Sequence, residues 1–282
     1  MRVVITGGAG FIGQATIAAV LDHGHTATTF DHPLDVCRPG DVQVGIPVGT
    51  DAVIHLAGVL GTAELFDNPH LAVDVNVHGT LTVLERCAEI GAGYVGITMP
   101  PAFPSIYTAT KLCADRLASA FHLAHGVPVS RVRAFNAYGP GQKHGPSHPQ
   151  KIIPTFATLA WAGEPIPVWG DGEQTVDLIH AGDVGRMLAD ALRFGDDQVF
   201  DAGTGYPYTV NEIAEFVIDY VSKRTGERSE VKHLPMRLGE QPTKIVAEGA
   251  GWDLLSWRPE FSREALVDTI EWYNPDNPED GR

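Results

Sequence analysis

Tyr107 and Lys111 stand four residues apart in the stretch YTATK, so on a helix they share one face a single turn apart. A phenol with a pKa of about 10 is a poor base at neutral pH, and a neighbouring ammonium favours the phenolate and lowers that value. Such a pair can take the proton from an alcohol hydroxyl while hydride leaves the same carbon. The hydride needs an acceptor, and the stretch MRVVITGGAGFIG describes a place for one. Gly7, Gly10 and Gly13 recur every third residue between an apolar run over 1–6 and a helix-like run over 11–23. The tight turn favours positive φ, a diphosphate must approach the backbone closely, and the helix must pack on the strand without intervening Cβ atoms. The helix N-terminus then offers unpaired N–H groups and partial positive charge to the phosphates. A second strand-like run over 26–30 ends in Asp31. A carboxylate there accepts hydrogen bonds from ribose hydroxyls and repels a 2′-phosphate, which favours NAD over NADP.

The elements that must carry these residues follow from periodicity. Residues 51–56 (DAVIHL) read as a buried strand, followed by Ala57 and Gly58 as a second close approach of backbone to cofactor. His55 reads as a packed strand residue rather than a catalyst. Apolar residues recur at helical spacing over 70–90, with Asn76 near the middle, and again over 105–125, with strands expected at 94–98 and 128–135. This alternation predicts an α/β fold with a doubly wound parallel sheet. Residues 32–50 hold three prolines and three glycines where a further strand and its crossovers would normally lie. There is room only for a short strand near 34–36 and a turn of helix near 41–44, so that flank should be pared down. Past residue 136 a proline- and glycine-rich loop (136–150) precedes helix-like runs at 152–164, 210–223 and 263–273, with a strand at 199–202 and a polar, frayed tail after Asn274. A nucleotide-binding core over 1–136, with parts of 175–202, and a smaller C-terminal α/β substrate lobe over 137–174 and 203–282 are expected.

The chain has 282 residues, enough for a full core, and 20 Lys+Arg against 35 Asp+Glu give a net charge of −15. That field opposes association with nucleic acid or anionic membrane, so an anionic ligand needs local donors. No apolar run approaches the roughly 20 residues of a membrane span. The first residues lack a basic-then-apolar leader, and a cytoplasmic protein is expected. Cys37, Cys87 and Cys113 are widely spaced and read as reduced thiols, and the scattered histidines predict no metal site.

Taken together, GGAGFIG (7–13), Asp31, DAVIHLAG (51–58), NVHGT (76–80), YTATK (107–111), RAFNAYGPGQ (133–142), GDGEQTVDLIHAGDV (170–184), RLGE and the terminal WRPEF resemble the extended short-chain dehydrogenase/reductase family. Within it the chain is similar to nucleotide-sugar epimerases of the UDP-glucose 4-epimerase kind, over nearly its whole length. The resemblance implies a Rossmann core with NAD. Gly7, Gly10, Phe11, Ile12 and Gly13 would cradle the diphosphate and Asp31 the ribose. Asp35 and Val36 would flank adenine, Leu56, Ala57 and Gly58 would line the cofactor, and Asn76 and Phe135 would sit near it. Tyr107 would be the base and Lys111 would bind the nicotinamide ribose. Asn136 would contact the sugar nucleotide, with Trp169 beside the base and Arg237 on the phosphates. The helices over 70–90 and 106–125 would form a four-helix homodimer interface, or else simply cover the sheet.

Three departures qualify what the resemblance implies. The Ser or Thr usual before the catalytic helix is Met99, which leaves Thr98, Ser105 or a water to hold the substrate hydroxyl. An expected arginine is Val176, so Arg237 stands alone unless Lys143, Lys151 or Arg186 compensates. Only eight residues separate Thr98 from Tyr107, which shortens the loop over the sugar pocket. The implied reaction is epimerisation at C4 of a nucleotide-diphospho-sugar through a 4-keto intermediate. A 4,6-dehydratase would need an acid/base pair where Pro100 and Pro101 stand, and Asp31 opposes an NADPH-dependent reductase. A decarboxylase, a simple NAD-dependent oxidoreductase, or an NAD-binding sensor or partner protein with little turnover also fit the sequence.

Overall fold

A computed structural model describes residues 1–100, 103–144, 150–237 and 240–277. Strand β1 (Arg2–Thr6) leads through the glycine turn into α1 (Phe11–Asp22), and β2 (Thr26–Phe30) pairs parallel to β1. After α2 (Pro39–Gly45) come β3 (Ala52–His55), the short helix α3 (Pro69–Ala72), a π-helical segment (Val73–Gly79), α4 (Thr80–Ile90), β4 (Gly93–Thr98), α5 (Ile106–His125) and β5 (Val129–Ala134). The remaining elements are β6 (Asn136–Tyr138), α6 (Ile152–Trp161), β7 (Ile166–Trp169), β8 (Thr175–His180), α7 (Ala181–Ala191), β9 (Asp196–Ala202), β10 (Pro207–Thr209), α8 (Val210–Thr225), β11 (Val231–Leu234) and α9 (Arg263–Trp272). Six parallel strands in the order β2-β1-β3-β4-β5-β9 form the main sheet.

Alternation along the strands sorts side chains to two buried faces. Val3, Ile5, Ile54, Val95 and Val132 pack with Val184, Met187 and Leu188 of α7. Val4, Val53, Tyr94 and Val129 pack with Val42, Val83, Leu84 and Ala118 on the other side. The sheet is therefore doubly wound, as the periodicity predicts. A third apolar cluster joins α6, α8 and α9 through Phe156, Ile213, Val217 and Ile270.

Two expectations need correction. No strand forms at 34–36. The backbone N–H of Asp35 goes to the carboxylate of Asp41 at 3.0 Å, and that of Cys37 to the carboxylate of Asp35 at 2.9 Å. Local side-chain acceptors thus consume donors that a strand ladder would need, and β2 is left as the sheet edge. The helical body over 70–90 is also not one α-helix, because Val73–Gly79 is wound as a π-helix around Asn76.

The later segments are tied to the sheet by buried carboxylates. Asp201, on β9, accepts the N–H groups of Glu248, Gly249 and Ala250, each at 3.1 Å, and pairs with Arg133 at 2.7 Å. Asp177, on β8, accepts from Thr204, Gly205 and Ala247. Hydrogen bonds to a charged group contribute about 1.5–3 kcal/mol each, so these clamps hold the strap over 247–250 against the fraying expected of a loop. No helix among the described residues is long and apolar enough to cross a membrane.

Candidate active site

Gly7 leaves β1 at φ +70°, a conformation open to glycine, and its N–H reaches Phe30 O at 3.0 Å. A Cβ at Gly13 would lie 2.3 Å from Gly7 O, so the turn and the start of α1 touch as backbone alone. The helix begins at Phe11 with no side-chain cap, leaving its first N–H groups for a ligand. Beside the turn lies a cavity of about 320 Å³ lined by Gly7, Asp31, Asp35, Val36 and Ala57, among others. Asp31 accepts the Ala9 N–H at 2.7 Å and that of His32 at 3.0 Å, which fixes its carboxylate at the cavity wall with lone pairs to spare. This backbone cradle, uncapped helix start and anchored carboxylate fit a dinucleotide.

The other residues expected at the cofactor, and Ala57 on the cavity wall, are fixed by the structure around the turn. Ile12 packs against the core behind the turn. Leu56 and Ala57 donate their N–H groups to Thr6 Oγ1, both at 3.1 Å. Asn76 is buried, and its carboxamide fastens the loop after Gly58 by bonding Val59 N–H at 2.9 Å and Val59 O at 3.0 Å. Phe135 sits against Gly203, and a Cβ there would meet its ring at 2.9 Å.

Tyr107 and Lys111 lie in the first turns of α5, whose start is set by Ser105. Ser105 Oγ accepts the Thr108 N–H and donates to Thr108 Oγ1, both at 3.0 Å, so this hydroxyl is committed to the cap. Thr98, the last residue of β4, is buried, and among the described residues its hydroxyl has no hydrogen-bond partner. Burial pushes the Tyr107 phenol up to about 12 and pulls the Lys111 ammonium down to about 8. Desolvation is the leading cause of both shifts, and at the tyrosine it works against the phenolate that a neighbouring ammonium and a positive nicotinamide ring are expected to favour.

A second cavity, of about 210 Å³, gathers residues from distant parts of the chain: Asn136, Lys151, Trp169, Val176 and Arg237, with Phe103 from the approach to α5. The Arg237 guanidinium lies 5.5 Å from the Trp169 ring centroid and pairs with Glu240 through contacts of 2.9 and 2.6 Å. Of the three cations considered as replacements for the absent arginine, only Lys151 lines this cavity among the described residues. Arg186 instead stacks on Trp257 at 4.1 Å. Burial, and then the charge of Arg237, bring the Lys151 ammonium below its ordinary value, against the opposing pull of Glu64. Sequence spacing could not have chosen Lys151, and it missed Gln174 and Thr243 on the same wall. Pro101 and the Leu238–Gly239 pair of the RLGE stretch lie outside the described residues, as do positions 145–149 of the loop and 278–282 of the tail.

The chain is similar to known proteins over most of its length. The "dTDP-glucose 4,6-dehydratase" of Streptomyces niveus is 29% identical over 97% of this chain and 93% of its own. The "UDP-glucuronate 4-epimerase" of Thermodesulfobacterium geofontis is 28% identical over 78% of this chain and 72% of its own. Among solved structures, the Thermus thermophilus UDP-glucose 4-epimerase in complex with NAD superposes with a TM-score of 0.83 at 24% identity, covering 98% of this chain and 100% of that one, and shows the same fold. The NAD dependent epimerase/dehydratase family matches residues 3–96 and 97–203. With the doubly wound sheet, the glycine turn and the Tyr107–Lys111 helix all inside that match, the chain belongs to the NAD-dependent epimerase/dehydratase family.

Proposed function

We propose that the chain epimerises a nucleotide-diphospho-sugar at C4 through a 4-keto intermediate. The observation that carries this reading is the second cavity, where an aromatic ring (Trp169), two cations (Lys151 and Arg237) and an amide (Asn136) meet near the start of the helix bearing Tyr107. An aromatic face suits a nucleobase, and paired cations suit a diphosphate in a protein whose overall charge is −15. NAD held by the glycine turn, the start of α1 and Asp31 would supply reversible hydride transfer at C4. Tyr107 takes the C4 hydroxyl proton and returns it to the keto oxygen once the sugar has turned the other face of C4 towards the cofactor side. Lys111 favours the phenolate during that transfer, and the free hydroxyl of Thr98 holds the sugar oxygen. Lys151 and Arg237 keep the diphosphate anchored while the sugar moves, with Arg237 exchanging contacts between Glu240 and phosphate.

Dehydration, the reaction named for the Streptomyces niveus relative, needs a proton donor and a base beside the 4-keto group. Pro100 and Pro101 at the corresponding positions carry neither. The test is incubation of the protein and NAD with UDP-, GDP- and dTDP-sugars, followed by chromatography and mass spectrometry. A product of unchanged mass and altered retention is expected. Loss of water or carbon dioxide, or no conversion with NAD bound, overturns the reading.

A further inference from the structure

His55 lies at the centre of a sealed hydrogen-bond chain. Thr6, His55, Asn76, Thr80 and Thr110 are 0, 3, 2, 2 and 5% exposed, so these polar groups must satisfy one another without bulk water. Thr6 Oγ1 accepts from the N–H groups of Leu56 and Ala57, which leaves its proton for His55 Nδ1 at 2.7 Å. Nδ1 is then an acceptor and Nε2 carries the hydrogen, which it donates to Thr80 Oγ1 at 3.2 Å. Thr80 passes its own proton to Asn76 O at 2.7 Å, inside the π-helical segment. The Asn76 carboxamide donates to Thr110 Oγ1 at 3.2 Å, and Thr110 donates to Ile106 O and Tyr107 O at 2.9 and 3.0 Å. In this direction every donor in the chain has an acceptor. Reversing the imidazole would leave the Thr6 hydroxyl without an acceptor and take the Thr80 proton away from Asn76.

We infer that His55 is a positioning residue, which transmits the place of the cofactor turn after β1 to the backbone of Tyr107 through Thr80, Asn76 and Thr110. The inference rests on the reading of Tyr107 as the base. Only a neutral imidazole can accept from Thr6 and donate to Thr80 at once, and burial together with the nearby Lys111 charge hold His55 neutral, its pKa pulled down to about 3. The π-helical winding brings Asn76 into this chain, and such segments are often found at functional sites. A small misplacement of a reacting group can cost as much as about a hundredfold in rate.

The test compares NAD-loaded wild type with Thr80→Val, which keeps shape and removes the hydroxyl, and Thr80→Ser, which keeps the hydroxyl. Three quantities are read: bound NAD per chain, kcat and KM with the nucleotide sugar found above, and the pH at which Tyr107 ionises. The last comes from tyrosinate absorbance measured against Tyr107→Phe. Thr80→Val should keep its NAD, lose about tenfold or more in kcat at unchanged KM, and show Tyr107 ionising at higher pH, with Thr80→Ser restoring both. A Thr80→Val protein with wild-type kcat and wild-type Tyr107 ionisation overturns the inference, and so does a loss that Thr80→Ser fails to restore. If wild type converts no nucleotide sugar, it is the proposed reaction that fails, and an unshifted Tyr107 ionisation then decides against the positioning role separately. Should Thr80→Val not fold, Thr110→Val and Thr110→Ser carry the same comparison.

Discussion

The two side chains proposed to do the chemistry sit in an environment that resists it until a cofactor is present. Burial raises the Tyr107 phenol to about 12 and lowers the Lys111 ammonium to about 8. A positive nicotinamide ring placed beside them would favour the phenolate by the same electrostatics that desolvation opposes. Tyr107→Phe should reduce turnover by about 10²- to 10⁴-fold, the usual worth of a positioned acid/base group, while bound NAD per chain stays at the wild-type level. A variant that keeps its turnover would remove Tyr107 from the mechanism. Lys111 gives a prediction of stability with a definite sign. Its folded-state pKa lies below the ordinary 10.5, so the folded protein holds this proton less tightly than the unfolded chain, and the charged form costs stability at low pH. That cost is fully present below about 8 and fades as pH rises towards 10.5. Lys111→Met should therefore raise the unfolding midpoint at pH 7 by roughly 2–4 °C and give no gain at pH 10.5. A thermal melt at each pH checks this.

At the scale of elements, the π-helical segment between α3 and α4 touches both the loop after β3 and the wall of the first cavity. Its Asn76 fastens the loop after β3, and its last residue, Gly79, lies against Val36 at the wall of the first cavity. A Cβ at Gly79 would come within 2.7 Å of Val36 Cγ2, and Val36 lines that cavity. Gly79→Ala should thus push the Val36 wall inward and weaken NAD binding by about tenfold or more, since overpacking a closed contact costs about 1–3 kcal/mol. Calorimetric titration with NAD against the wild type checks it, and unchanged affinity would mean that the wall yields freely. This element was illegible in the sequence for a plain reason. The apolar stripe over 70–90 keeps helical spacing on average, and one widened turn shifts it by too little to show. The cap at Ser105 and the capping box formed by Thr209 and Glu212, by contrast, depend on residues three apart, and their helices begin where local sequence places them.

At the scale of the whole molecule, we propose a homodimer through the helical body over 70–90 and α5. Leu71 of α3, Val73 of the π-helical segment and Leu123 of α5 are 40, 49 and 82% exposed, apolar surface that these elements leave turned away from the core. The protein should have the mass of a dimer in solution at micromolar concentration, and Leu71→Glu should shift it towards monomer. A wild-type monomer by light scattering would sink the proposal. A core and a substrate lobe remain our reading of the division of the chain. The third apolar cluster over α6, α8 and α9 supports it, as does the second cavity, where Phe103 meets Lys151, Trp169 and Arg237.

The sequence by itself determined the parts whose physics is local. Gly7 and Gly13 are needed where a turn meets a helix start, Asp31 ends its strand a short distance on, and Tyr107 and Lys111 are one helical turn apart whatever surrounds them. The alternation of apolar residues likewise determined a doubly wound sheet, because strand and helix periods act over a few residues. Only the tertiary structure decided that, of Lys143, Lys151 and Arg186, it is Lys151 that lines a cavity with Arg237 among the described residues. It alone also decided that burial raises the Tyr107 phenol and that Thr6, His55, Thr80, Asn76 and Thr110 form one chain. Each of these depends on groups dozens of residues apart meeting where water is excluded, and neither the meeting nor the loss of solvent is written in any one stretch of the sequence.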